Sequence, residues 1–376
     1  MHNMAGRCCK HALRCRISAF SSSNGNAAIR TFSSSSSCRK HGGLPTFYET
    51  SSPELDSLLS TVRNKIFLFD HLNQAQLKLV RQDSLKERLA AEPVYARIGD
   101  EDVRLEHINV TKDIPRSTTI RHEMLNLLKE PKDWDNVPAF LEGFSSSKSA
   151  APLGFDFLDK LVRRASEAGQ QHIILQCLQM VEKTGMSLRK LPLVESVMWS
   201  ARKKAQEGNW DNASTEKALK YAEQVAALME TEAHGTGRLL QKADPRKAPS
   251  VIGFLLELAA VRAYKHTGGK DVDGKVKKYA ERLLAALPAP SETSEAREEM
   301  PFGQVEAYVP VWQGLKFANK VLGPEMPQAE RVQKILADYE KTILERYKSM
   351  QDQKTRNDRG YVSRGMKAWQ DRIKDT

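Results

Sequence analysis

The stretch that decides the fold is FDFLDKLVRRASEAGQQHIILQCLQMVEKTGMSLR, residues 155–189. Apolar residues recur at helical spacing over Phe155–Ala168 and again over His172–Thr184, and Gly169 breaks the chain between them. A 3.6-residue period on both sides of a glycine predicts two helices packed as a pair.

Working outward, the same pattern returns three times. Leu193–Glu207 with Thr215–Thr231, Pro249–Lys265 with Asp273–Leu287, and Gly303–Leu322 with Gln328–Met350 each read as a helix pair. No pair can bury its apolar faces alone. Stacked pairs share a continuous core, which predicts an all-α chain with an irregular α-solenoid over 152–350. A compact helical bundle without repeat ancestry is the alternative. The most apolar stretch, Val251 to Val261, carries Glu257 and falls short of the roughly 18 residues that a bilayer span needs. It reads as a buried core helix, and no transmembrane span is expected.

Upstream, residues 49–150 read as a helical region with proline-broken loops. Ser52-Pro53-Glu54 is a helix start, followed by Leu55, Leu58, Leu59 and Val62 at helical spacing. A second helix opens near Asn73 and ends before Pro93. Residues 93–115 look loop-like, with a short strand at Val103–Val110. Arg116–Lys129 is helical, Trp134 to Phe144 form an apolar cluster, and Ser145 to Ser149 read as a linker.

Residues 1–41 differ in kind. They hold Arg7, Lys10, Arg14, Arg16, Arg30, Arg39 and Lys40, are dense in serine, and precede the first acidic residue, Glu49. Arg-rich, Ser-rich and acid-free is the composition of a mitochondrial transit peptide, drawn inward by the membrane potential. A disordered presequence is expected, with a mature start near Ser33 or Gly42 and a destination in the matrix. Subtracting it changes the charge. The chain has 58 basic and 47 acidic residues; removing the seven basic residues of 1–41 leaves 51 against 47, close to neutral. A strongly basic global field of the nucleic-acid-binding kind is therefore not established. Cys8, Cys9, Cys15 and Cys38 also lie in this segment. Cys177 alone remains for the folded part, too few for an internal disulfide or a cysteine zinc site.

The stretch Glu167 to Met186 resembles a pentatricopeptide repeat. Such repeats place a glycine at the turn between helices and another sixteen residues later, as Gly169 and Gly185 stand here, with Ile174, Leu178 and Val181 at the family's core positions. The match covers one repeat, residues 155–189. The positions nearest the family's base-reading pair are Asp159 and Arg189, an untypical combination. An imported, degenerate helical-repeat protein resembles the pentatricopeptide-like subunits of mitochondrial ribosomes. That resemblance implies a non-catalytic structural component, with the small subunit preferred, packing on mitochondrial rRNA and other mitochondrial ribosomal proteins in mitochondrial translation. Two other functions fit the same features: a pentatricopeptide-type RNA-maturation or translation-activation factor, and a respiratory-complex assembly factor that binds only proteins.

The candidate contact residues lie in the basic C-terminal tail, 351–376, and the helix before it. Residues 341–376 hold ten Lys or Arg against five acids. Lys348, Lys354, Arg356, Arg359, Arg364, Lys367 and Arg372 are interleaved with Tyr361 and Trp369. Cations neutralise phosphates, and exposed aromatics stack on bases or enter protein pockets. With Gly360 and Gly365 in the tail, the aromatics are expected to order on a partner. Arg202-Lys203-Lys204 suits the end of its helix without any ligand.

Motifs of catalysis fail on spacing. His122-Glu123 lacks the second histidine of a zinc-protease helix, and Asp271 to Lys275 departs from a calcium loop. Gly268-Gly269-Lys270 lacks the serine or threonine of a phosphate loop. His172 and Cys177 have no third partner. No cofactor, metal or small-molecule substrate is expected, and the chain does not read as an enzyme.

Overall fold

Local sequence signals set the first helices. The computed structural model describes residues 31–32, 43–148, 150–235, 244–287, 305–356 and 364–371. Helix α1 (Pro53–Val62) begins as Ser52-Pro53-Glu54 predicts: the Ser52 hydroxyl accepts from Leu55 N–H and Pro53 occupies the first turn. Asn73 and Gln76 form a reciprocal capping box at 2.9 Å each and open α2 (Gln74–Arg81). The single helix expected from Asn73 to Pro93 is in fact two. Gln82 adopts an extended conformation, and α3 (Lys86–Ala91) follows a short 3-10 turn.

Residues 93–115 contain a hairpin rather than a loop with one late strand. β2 (Val94–Ile98) pairs antiparallel with β3 (Glu101–Leu105), and Gly99, at φ +61°, takes the first position of the turn. The alternation is plain in hindsight. Ala96, Ile98 and Leu105 are buried, whereas Arg97, Asp102 and Arg104 face out. Thr31–Phe32 forms β1, parallel to Tyr95–Ala96, so these two residues do not share the disorder expected of 1–41. The free edge of β2 offers them main-chain partners. The rest of that segment lies outside the described residues.

Helices α4 (Ser117–Leu127) and α5 (Val137–Ser146) complete the N-terminal half. The segment entering α1 is tied down by two buried side chains. Asn136 brackets Tyr48, accepting from its N–H at 2.7 Å and donating to its carbonyl at 3.2 Å. The Asp133 carboxylate accepts from the N–H and hydroxyl of Ser51, both at 2.7 Å, and from the N–H groups of Lys129 and Glu130. Burial works to raise the Asp133 pKa, but these donors together hold it below the ordinary carboxylate value.

Helix pairs follow from residue 155, as expected. α6 (Phe155–Glu167) turns at Gly169, φ +72°, into α7 (Gln171–Gln179) and the short α8 (Val181–Thr184), which ends on Gly185 at φ +68°. Both glycines sit where only glycine avoids strain. The second helix of this pair is broken at Met180, so it is not the continuous His172–Thr184 helix expected. The next pair is α9 (Leu191–Glu207) and α10 (Asn212–Met229); then come α11 (Pro249–His266) and α12 (Lys275–Ala286). α13 (Val305–Leu322) and α14 (Ala329–Arg356) form the last pair, and α15 (Arg364–Gln370) returns across the array. No helix among the described residues is long and apolar enough to cross a membrane.

One hydrophobic cluster runs from Leu44 to Trp369. It crosses residue 150 without interruption, since α5 packs on α7 and α8 and α4 on α6. The serines read as a linker are partly structural: Ser145 and Ser146 finish α5, and the Ser147 hydroxyl donates to Asp70. Two glycines allow α11 and α13 to cross closely. A Cβ on Gly253 would lie 2.6 Å from Val311 Cγ2, and one on Gly314 would lie 3.0 Å from the Glu257 nitrogen.

At that crossing the apolar helix α11 carries its one carboxylate. Glu257 is fully buried and accepts from Arg202 Nε at 3.0 Å through both oxygens. Arg202 is itself 1% exposed, stands over the Trp199 and Trp210 rings at 5.4 and 5.5 Å, and donates to Gln206 at 2.9 Å. The sequence placed Arg202 in a cluster that merely suits a helix end. The structure instead makes it the counter-ion of the core. Burial raises the Glu257 pKa to about 7, and the Arg202 charge opposes this only in part. Between its unfolded value and about 7, folding therefore takes up a proton, and this group's contribution to stability falls as pH rises through that window. Arg202→Met leaves an unpaired buried carboxylate and is expected to cost about 3–5 kcal/mol at neutral pH. Arg202→Met combined with Glu257→Leu is expected to recover most of that loss, as measured by urea unfolding.

Candidate functional site

The candidate contact residues divide into three groups in the structure. Arg359, Tyr361 and Arg372 lie outside the described residues. Lys354 and Arg356 stand on the last turns of α14. The remaining four have described surroundings, and those surroundings differ.

Lys348 on α14 and Lys367 on α15 are exposed. Arg364 is half-buried and turned toward the chain itself. Its Nη1 lies 3.3 Å from the Ser196 hydroxyl and 3.8 Å from Asp159 Oδ1. Asp159 also accepts from Ser196 at 2.6 Å and pairs with Arg163 at 3.0 Å. The position nearest a base-reading residue is thus committed inside the protein. Arg189 is exposed in the turn that precedes α9.

Trp369 corrects the sequence reading. It was expected to wait for a partner, because the tail has two glycines and little apolar surface of its own. In the structure it is 2% exposed, and its ring meets Trp312 of α13 edge-on, with centroids 4.9 Å apart. Gly365, Met366 and Ala368 are buried with it. The signal was present: 365, 366, 368 and 369 share one helical face. What sequence could not supply was the surface that this face meets.

The short helix is held by four elements. Arg364 reaches α6 and α9, Trp369 packs on α13, and Gln370 donates to the Tyr347 hydroxyl of α14 at 2.7 Å. At its C-terminal end, Asp371 accepts from Gln206 at 2.9 Å, and Gln206 accepts from Arg202. A polar chain therefore links the buried Glu257 to the end of α15. Sequence reasoning missed Arg202, Gln206 and Trp312. The available clue was Glu257, a charge in an apolar helix that requires a partner.

Among the described residues, no group of three or more His, Cys, Asp or Glu side chains is arranged to hold a metal. Cys177 is buried, and desolvation pushes its thiol up to about 12, away from nucleophilic use. His172 is exposed on the opposite face of α7. His234 is buried instead; Nδ1 accepts from Leu188 N–H at 3.2 Å, so Nε2 carries the proton toward the Leu178 carbonyl at 2.8 Å. Burial lowers its pKa, which keeps this tie neutral.

The docking of α15 makes a direct prediction. Trp369→Ala removes the main apolar anchor, a change that costs about 3–5 kcal/mol for a fully buried Trp. Trypsin is expected to cut the variant at Lys367 much faster than the native chain, while α11 stays protected.

Comparison with known proteins identifies a ribosomal family. The family model described as mitochondrial ribosomal protein mS27 matches residues 30–371. The small ribosomal subunit protein mS27 of Neurospora crassa is 28% identical over 305 residues, covering 76% of each chain. The match spans every element described above from β1 to α15, and the chain belongs to the mitochondrial ribosomal protein mS27 family.

Proposed function

We propose that this chain is a structural component of the small subunit of the mitochondrial ribosome, working in the matrix and packing on rRNA and neighbouring proteins. The family match over residues 30–371 carries the reading. The small-subunit assignment follows the name of the Neurospora crassa relative. The acid-free, Arg- and Ser-rich segment at 1–41 supports import, and its removal leaves a nearly neutral scaffold. The role is architectural, not enzymatic.

The stacking of α6 to α14 in pairs supports a degenerate helical-repeat scaffold of the pentatricopeptide type. One-base-per-repeat reading is not part of this proposal, because Asp159 is engaged by Ser196 and Arg163. The exposed Lys348 and Lys367 are the described tail cations free to approach phosphate, and Lys354, Arg356, Arg359, Tyr361 and Arg372 extend the same basic stretch. Arg364 and Trp369 act differently: they fasten the helix that displays Lys367.

Sedimentation of mitochondrial lysate in magnesium tests the function. The chain is expected to co-sediment with the small subunit and to move to the top of the gradient after RNase treatment. Its absence from the small-subunit peak in magnesium contradicts the proposal. Complexes that survive RNase intact would point to a protein-only assembly factor.

A further inference from the structure

The connection between α11 and α12 matches neither a calcium loop nor a phosphate loop, yet it is strongly basic. Residues 262–282 hold seven Lys or Arg against three acids. Gly268 and Gly269 turn the chain at φ +65° and +73°, and a Cβ on either would meet nothing within 4 Å. Gly269 N–H donates to the Ala263 carbonyl at 3.1 Å, which folds the loop back onto the end of α11. Val272 is carried outward on this loop and is 78% exposed. The loop stands in a row with its neighbours. His266 Nε2 lies 2.8 Å from the Trp210 carbonyl after α9, and Lys277 lies 3.5 Å from Glu325 after α13. Helix α15 ends on the same edge, where Asp371 meets Gln206.

The acids around the loop are already engaged. Asp271 accepts from the N–H groups of Val276 and Lys277 at 3.1 and 2.9 Å, so it caps α12 itself. Asp273 pairs with Arg262 and accepts from Lys275 N–H at 3.4 Å. Glu223 of α10 meets Lys275 at 2.7 Å and the Tyr279 hydroxyl at 2.9 Å, and Glu216 meets Lys220 at 2.8 Å. What remains is positive. Lys265, Lys270 and Lys278 are exposed and make no ion pair among the described residues. Lys265 suits the C-terminal end of its helix. Lys270 sits in the loop, where no helix end favours it. Lys278 stands in the first turn of α12, where the dipole opposes a cation. Their placement brings the fold no gain, and an anion outside the chain accounts for it.

We propose that the α11–α12 loop is a docking surface for the small-subunit rRNA backbone, with phosphates seated on Lys265, Lys270 and Lys278. The proposal rests on the small-subunit function above. All three free cations are lysines. A lysine is a compact point charge on a flexible stem, which follows phosphates without reading sequence, whereas the forked guanidinium of arginine suits paired carboxylates. Gly268 and Gly269 leave the main chain bare, so a sugar–phosphate backbone can approach it closely. Val272 stands among these groups and is the point from which the bound partner can be reported.

Photocrosslinking in purified small subunits tests it. Val272→p-benzoylphenylalanine in the full chain puts a photoreactive group at the loop tip, and irradiation is expected to join it to one stretch of small-subunit rRNA. Crosslinking to protein alone, or to nothing although the chain is present, overturns the docking proposal and leaves the ribosomal role intact. Absence of the chain from the subunits overturns both. A combined Lys265→Gln, Lys270→Gln and Lys278→Gln variant tests the charge. Three phosphate contacts contribute about 2–3 to the slope of log affinity against log salt. The variant is therefore expected to leave the subunits at lower KCl, with a slope shallower by about that amount, while the isolated chain keeps its urea midpoint. A KCl profile identical to that of the native chain overturns the proposal.

Discussion

The contact between Arg202 and Glu257 is the constraint around which the second half of the molecule is arranged. A carboxylate in the most apolar helix of the chain is tolerable only with a matched cation, and the cation comes from α9. That requirement fixes α9 against α11, while Gly253 and Gly314 bring α13 close against the same stretch of α11. The guanidinium also lies within reach of the Trp199 and Trp210 rings, and Trp210 is held in a left-handed backbone conformation at φ +57°. Through Gln206 the same charge reaches Asp371 and so positions α15. Core packing and surface display are thus parts of a single hydrogen-bonded chain.

Much of this architecture was written locally. Ser52, Asn73 and the glycines at 169 and 185 mark helix ends by mechanisms that act within a few residues, and the structure follows them. The helix pairs from 155 onward obey the same local rule. What escaped depends on partners distant in sequence. The hairpin at 94–105 needed its buried face to be known, and the break at Gln82 needed the packing of α2 and α3. The tail shows this most clearly. Basic, interrupted by glycine and poor in apolar residues, it reads as a segment awaiting a partner, yet its Trp369 is satisfied by Trp312 more than fifty residues earlier.

That correction changes how the candidate surface is understood. A free tail binds by folding onto its partner and loses affinity to the ordering entropy. A docked α15 has already met that cost against the protein. It presents Lys367 on a fixed helix and makes one wall of a cleft whose other walls are α6 and α9. Preorganisation of this kind suits a component that must occupy one position in a large assembly. It also explains why basic residues of one short segment serve opposite purposes, Arg364 inward and Lys367 outward.

The central claim is that α15 is an integral, network-held part of the helical array. Amide hydrogen exchange of the full chain measures this directly. The account predicts protected amides at Ala368–Asp371 in the native protein and a marked loss of protection there in Gln206→Leu, with α9 and α11 little changed. Exchange of α15 at the rate of an unfolded peptide in the native protein, or protection unaltered by Gln206→Leu, would contradict it.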